Sequence, residues 1–213
     1  GPVRHGAQGS SRVATALSLK PLEAWLLSLP VGWPHHIAIV GAGPSGSALA
    51  SFLARQGRDV VLFTQGKRPP IIVGESLVPA VVPYLRRLGI EQEVAAFSIW
   101  KGGATFVFGS DGRMSFRFSE VRHAKTTYSY NVPRDRFDAS VLAAAERAGA
   151  RVVRAAGRLE RVGESDEVRL SDESLALAAL TRAPDFIVDA GGRSRTIPRL
   201  LGIPVLDGQR RDT

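Results

Sequence analysis

The segment Gly41-Ala42-Gly43-Pro44-Ser45-Gly46 constrains this 213-residue chain more than any other. It fits G-x-G-x-x-G, in which the first glycine allows a tight turn, the second lets backbone approach a pyrophosphate, and the third lets a helix pack on a strand. Three glycines at this spacing carry weight only in the right surroundings. His36 to Val40 is a short apolar run suited to a buried parallel strand. Ser47 to Arg55 is an Ala- and Leu-rich helix stopped by Gly57, and Asp59 to Phe63 is a second apolar strand. Together they make a βαβ unit of about thirty residues, which crosses over right-handed. The helix N-terminus offers unpaired N–H groups and a partial positive charge to a phosphate. The plainer alternative is a glycine turn that serves packing alone.

Further along, Gly74-Glu75-Ser76-Leu77-Val78-Pro79 leads into a helix that reaches Leu88 and closes at Gly89. Thr105 to Phe108 and Met114 to Phe118 alternate apolar and polar residues around Ser110-Asp111-Gly112, a hairpin pattern. Thr126 to Val132 is a candidate strand. Arg136 to Ala148 is the clearest helix, with Phe137, Val141, Leu142 and Ala145 on one face and Gly149 as its stop. Arg151 to Val153 reads as a parallel strand, and Phe186 to Asp189 as another that runs into Gly191-Gly192. Leu159 to Val162, Val168 to Ser171 and Ala176 to Leu180 read as an antiparallel meander. The fold class expected is α/β: a Rossmann-like domain with a parallel sheet and antiparallel insertions.

The composition, 44% hydrophobic, suffices for one sizeable core. No run approaches the roughly 20 apolar residues that span a bilayer, and the stretch from Leu22 to Trp33 reads as a short packed or amphipathic helix. The net charge of +8 comes from scattered residues without interleaved aromatics. It therefore points to a solvated surface that attracts anionic ligands, with no nucleic-acid partner expected. The chain has no cysteine, hence no disulfide framework. The acid-free, basic first 22 residues could form a targeting segment, but no small-residue cleavage site follows a long apolar run, so export is not expected and a cytoplasmic location fits. Residues 1–34 read as an N-terminal extension or tag, and 35–213 as the nucleotide-binding domain, discontinuous and stopping before the rest of a substrate domain.

A dinucleotide-binding βαβ unit usually places an acid at the end of its second strand, roughly twenty residues on, to bind the ribose hydroxyls. Here the position is Thr64 or Gln65, neither of them acidic. Gln65 can still hydrogen-bond a hydroxyl, and Lys67-Arg68 can meet a phosphate, which leaves an NADP-like reading open.

Ile37 to Phe63 together with Val73-Gly74-Glu75-Ser76-Leu77-Val78-Pro79 resembles the start of flavin-dependent halogenases and of related FAD-dependent monooxygenases, the aromatic hydroxylases and geranylgeranyl-reductase-like flavoproteins. Val132-Pro133-Arg134-Asp135-Arg136-Phe137-Asp138 is similar to their R-x-x-F-D helix start. Asp185-Phe186-Ile187-Val188-Asp189-Ala190-Gly191-Gly192-Arg193-Ser194 is similar to their D-A-x-G-R-S turn beside the flavin. These matches cover residues 37 to about 203. The resemblance implies FAD as cofactor. Gly41, Ala42, Gly43, Pro44, Ser45 and Gly46 would hold its pyrophosphate, Thr64 and Gln65 would lie by the ribose, and Arg134 would contact the phosphate or ribityl region. Ser76, Asp189, Ala190 and Gly191 would lie beside the cofactor. For Arg134 and Asp189 the plain alternatives are a helix-start pair and a strand-end cap.

The resemblance also implies two candidate catalytic residues. Glu75 sits in the Gly-Glu-Ser loop that the family places near the flavin ring; alternatively, Glu75 and Ser76 cap the helix that Pro79 initiates. Lys101, in Trp100-Lys101-Gly102-Gly103-Ala104-Thr105-Phe106, matches a lysine that halogenases use to engage hypohalous acid. Its plain alternative is an exposed lysine at a strand start. Trp100, Tyr128 and Tyr130 can line a substrate pocket or pack in the core. The leading expectation is a monooxygenase that hydroxylates an aromatic or related small molecule through a flavin C4a-hydroperoxide, with electrons from NAD(P)H or a separate flavin reductase. Halogenation through Lys101 is the alternative, followed by prenyl double-bond reduction and by a non-catalytic nucleotide-binding module. The W-x-W-x-I-P segment of halogenases is absent and would be expected beyond the end of the chain. The remainder of the same polypeptide is therefore an expected partner.

Overall fold

The computed structural model describes residues 35–66, 74–110 and 112–204. The extension at 1–34, the pair Lys67-Arg68 and Asp111 of the hairpin turn lie outside the described residues. In chain order the elements are β1 (His36–Val40), α1 (Pro44–Arg55), β2 (Asp59–Phe63), α2 (Val82–Leu88), α3 (Glu91–Phe97), β3 (Ile99–Lys101), β4 (Gly103–Phe108) and β5 (Gly112–Arg117). They continue with β6 (Ser129–Asn131), α4 (Arg134–Arg147), β7 (Arg151–Val153), β8 (Leu159–Arg161), β9 (Val168–Leu170), α5 (Asp172–Leu177), β10 (Phe186–Asp189) and α6 (Thr196–Leu200).

Four strands form the central parallel sheet in the order β10-β1-β2-β7. The apolar runs of the two central strands, β1 and β2, follow from burial on both faces, while the edge strands β7 and β10 are only part-buried. Side chains alternate in direction along a strand. Ala38, Val61 and Phe63 share a cluster with Leu159, Leu170 and Ala178, while Ile37, Ile39, Val60 and Leu62, all buried, take the opposite face. There α1 packs on β1 and β2, and α4 packs on α1. The Ser51 hydroxyl donates to the Ala144 carbonyl at 3.3 Å across this helix pair. The small residues Ala50, Ser51, Ala144 and Ala145, all buried, allow the close approach.

α1 leaves the carboxyl end of β1, and α4 returns the chain to the amino end of β7. Both helices therefore run antiparallel to the strands, and their N-termini lie toward the sheet's carboxyl edge. A second core joins α2, α3, α4 and β6 through Val82, Leu85, Ile90, Val94, Tyr130, Val132, Phe137 and Val141. Each such residue contributes about 1.5–3 kcal/mol of burial.

Several boundaries depart from the sequence expectation. α4 starts at Arg134, ahead of Arg136, and the strand expected over Thr126–Val132 narrows to β6. Ala176–Leu180 is not a third meander strand. The Ser171 hydroxyl accepts a hydrogen bond from the Ser174 N–H at 3.2 Å, and α5 follows with acids in its first turn. Alternating Ala and Leu are strong helix formers, so a helix cap outweighed the apparent period-two pattern. The helix α3 and the strand β3 were not anticipated. Among the described residues no helix is long and apolar enough to cross a membrane.

Candidate functional site

At the carboxyl edge of the sheet, the six-residue turn links β1 to α1. The Gly41 N–H donates to the Phe63 carbonyl at 3.0 Å, and the Ala190 N–H to the Val40 carbonyl at 2.8 Å, so both neighbouring strands grip the turn. Gly41 has φ +111°, a conformation open to glycine, and a Cβ there would lie 2.4 Å from the Ala190 carbonyl oxygen. A Cβ on Gly46 would lie 2.0 Å from the Gly41 carbonyl oxygen. Gly43 is different: it is exposed, and a Cβ there would meet nothing within 4 Å. Two glycines thus close the fold and the middle one leaves open space. Pro44 opens α1, and no side chain caps it. The Ser47 hydroxyl donates instead to the Ala42 carbonyl at 3.1 Å. The Ser45 and Gly46 N–H groups precede the first intrahelical bond, Ser47 N–H to Gly43 carbonyl, and so have no helical partner.

The other expected cofactor residues gather at the same edge. Thr64 follows β2 and pairs with Val153 (N···O 2.9 Å), while Gln65 is exposed beside it. Arg134, at the N-terminus of α4, makes a two-pronged pair with Asp138 at 3.0 and 3.3 Å, and its guanidinium borders Gly74. Asp189 accepts from the Gly191 N–H at 2.9 Å and from the Ile197 N–H at 2.8 Å. Its carboxylate therefore shapes the turn that carries Ala190 and Gly191. This is the strand-end cap anticipated as the plain alternative for Asp189.

The two candidate catalytic residues come together with Ser76 on a small ribbon. β6 pairs antiparallel with β3, placing Lys101 opposite Ser129. On its other side β6 receives the Gly-Glu-Ser segment. The Val132 N–H donates to the Glu75 carbonyl at 2.8 Å, the Leu77 N–H donates to the Tyr130 carbonyl at 3.0 Å, and Ser76 lies opposite Asn131. The Lys101 Nζ donates to the Ser76 hydroxyl and lies 5.7 Å from the centre of the Phe118 ring. Burial holds the Lys101 ammonium below the usual lysine pKa. Glu75 is exposed, and Val78 occupies the N-cap position of the turn that starts at Pro79 with no side-chain cap, so neither Glu75 nor Ser76 caps that helix.

On the far side of the ribbon the aromatic residues divide. Tyr130 is buried in the core, whereas Trp100 is 62% exposed and stacks on Tyr128 at 6.4 Å. Tyr128 donates to Glu91 at 2.5 Å, and Arg86 pairs with the same carboxylate at 2.6 Å. Burial opposes the Glu91 charge, but the hydrogen bonds from Tyr128 and Arg86 outweigh it and hold the carboxyl below its ordinary value. Burial, reinforced by Tyr128 and Glu91, pushes the Tyr130 phenol up to about 12. Sequence reading missed this network, because Arg86 on α2 and Glu91 on α3 reach Tyr128, some forty residues on, only through tertiary packing.

A family model described as "FAD binding domain" matches residues 35–213, most of the chain. The chain belongs to this FAD-binding family. Its cofactor is FAD, and the carboxyl-edge cradle fits the dinucleotide: Gly43 leaves room at an uncapped helix N-terminus while Gly41 and Gly46 permit no side chain. Within the family, the chain is 32% identical over 161 residues to a tryptophan 2-halogenase of Chondromyces crocatus, an alignment that covers 74% of this chain and 30% of the relative. It is 27% identical over 187 residues to a 1H-pyrrole-2-carbonyl-(peptidyl-carrier protein) chlorinase of Pseudomonas fluorescens, covering 79% of this chain and 42% of that protein. The solved structure of CmlS, a flavin-dependent halogenase, superposes with a TM-score of 0.62 and 31% identity over 78% of this chain and 30% of CmlS. The FAD-binding chain thus spans well under half the length of these relatives.

Proposed function

We propose that this chain is the FAD-binding portion of a flavin-dependent halogenase that acts on an aromatic or heteroaromatic substrate, free or carrier-bound. The observation that carries the reading is the Lys101 ammonium. It is held on Ser76 against the Phe118 ring, and no carboxylate among the described residues lies within ion-pair distance of it. The halogenase names of the relatives favour the same reading over the hydroxylation expected first from the sequence. The substrate class is taken from the tryptophan and pyrrole-carbonyl names of those relatives.

In this reading the Ser45 and Gly46 N–H groups, with Gly43 beneath them, receive the pyrophosphate at the positive end of α1. Arg134, steadied by Asp138, adds positive charge on the same side of the sheet. Thr64 and Gln65 face the ribose, with the Gln65 amide taking the place of the usual acid. Asp189 acts on the cofactor indirectly, by fixing the turn through Gly191. FAD, when bound and reduced, supplies the oxygen activation. Lys101 contributes a partly buried ammonium that engages the oxidised halogen and hands it to the substrate. Glu75, exposed beside Ser76, is the candidate to move a proton at this end of the site.

The test uses the full-length protein with reduced FAD, chloride or bromide, and tryptophan or a carrier-bound pyrrole. A halogenated product is expected, and Lys101→Met should lower its formation by about 100-fold or more while FAD affinity stays unchanged. A halide-independent product carrying one added oxygen, formed equally by Lys101→Met, would establish hydroxylation instead.

A further inference from the structure

We infer that Ser76 is a positioning residue for Lys101, and that Ser129 is kept small so that the lysine stem can cross β6 to reach it. The inference rests on the halogenase reading for its consequence and on the ribbon geometry for its argument. Lys101 and Ser76 sit on opposite sides of the same strand, one on β3 and the other on the Gly-Glu-Ser segment. Two strand spacings, about 9–10 Å, separate their backbones across β6, with an offset of two residues along it, since Lys101 faces Ser129 and Ser76 faces Asn131. Residues opposite one another across an antiparallel pair share a face, as do positions two apart on one strand. Lys101, Ser129, Asn131 and Ser76 therefore point the same way.

To bring Nζ onto the Ser76 hydroxyl, the four-carbon stem must cross β6 past Ser129, the residue directly opposite it, toward the side of Asn131. Ser129 is fully buried, and its own hydroxyl donates to the Leu77 carbonyl at 2.8 Å. It thus lies low beneath the stem and anchors the segment that carries Ser76. A lysine ammonium on a flexible stem has no preferred direction of its own. Here the Ser76 hydroxyl gives it one, with the Phe118 ring alongside. A neutral acceptor directs the amino group without the tight pairing that a carboxylate would impose, and it favours the charged form against burial. The motif's serine, expected from sequence to lie beside the cofactor, meets the lysine here.

The experiment compares the full-length protein with Ser76→Ala, Ser76→Thr and Ser129→Leu. Competitive acylation with acetic anhydride across a pH series, read by mass spectrometry at Lys101, reports how that amine titrates and reacts. FAD affinity and halogenated product are measured in parallel. In Ser76→Ala the Lys101 titration should move to lower pH and product formation should fall about tenfold. Ser76→Thr, which keeps the hydroxyl, should restore both, and FAD affinity should stay within about twofold throughout. Ser129→Leu should reproduce the Ser76→Ala labelling profile. An unchanged Lys101 profile in Ser76→Ala overturns the inference, and weakened FAD binding with that same unchanged profile would assign Ser76 to the cofactor. Full halogenation by Lys101→Met would refute the proposed function alone, since the labelling profile is read without turnover.

Discussion

In the glycine cradle nearly every working group comes from six consecutive residues, with Ala190 and Gly191 arriving on the neighbouring strand. The Lys101 ribbon draws on Ser76, Lys101 and Ser129, which meet only because β6 lies between two partners, and on Phe118, which arrives from the end of β5. The cradle depends on the absence of side chains and the ribbon on their reach. A site of the first kind fails through steric blockage, so its defects appear in folding and cofactor affinity together. A site of the second kind can lose its chemistry while folding and cofactor binding persist.

That contrast can be broken most severely at Gly46. Gly46→Val would drive side-chain atoms into the Gly41 carbonyl, already 2.0 Å from a bare Cβ. A loss of about 3 kcal/mol or more is expected, and thermal melting with FAD titration should show the chain both destabilised and unable to hold cofactor. Gly43→Ala sharpens the comparison from the same turn. Nothing lies within 4 Å of the added Cβ, so the melting temperature of the apoprotein should hold while FAD affinity falls about tenfold, as for about 1.4 kcal/mol lost at the pyrophosphate. Equal losses in both measurements would mean that Gly43 is structural like its neighbours.

The smallest effect is expected behind the ribbon, at Glu91. Its folded-state pKa lies below the ordinary value of 4.5 because the hydrogen bonds from Tyr128 and Arg86 outweigh burial. A depressed carboxyl contributes stability above its unfolded pKa and loses it as pH falls through the folded value. Glu91→Gln should therefore flatten the acid limb of melting temperature against pH, by at most about 1 kcal/mol, and leave the Lys101 titration untouched. A displaced Lys101 titration in this variant would show that the two faces of the ribbon are coupled.

The legibility of the fold follows the same division. β1 and β2 were readable because burial on both faces leaves uninterrupted apolar runs such as Val60 to Phe63. The part-buried edge strands β7 and β10 were readable as short apolar runs beside turn residues. α4 was readable from Phe137, Val141 and Ala145 on one face. α5 was misread because Ala and Leu in alternation satisfy a strand pattern, while the deciding event is the hydroxyl of Ser171 finding the Ser174 N–H. β3 was missed because Ile99-Trp100-Lys101 is too short and too exposed to show a period; it is a strand through its pairing with β6.

By itself the sequence determined the glycine turn of the βαβ unit, the FAD assignment through the companion motifs, and the parallel sheet that supports them. Those features rest on short-range geometry, where a glycine at a given position means a turn, an open space or a close contact. The tertiary structure alone decided that Asp189 spends its carboxylate on the Gly191 and Ile197 amides, and that Lys101 rests on Ser76. Both depend on which groups long-range strand pairing and the Gly191 turn bring within about 3 Å of one another, and no spacing along the chain records that.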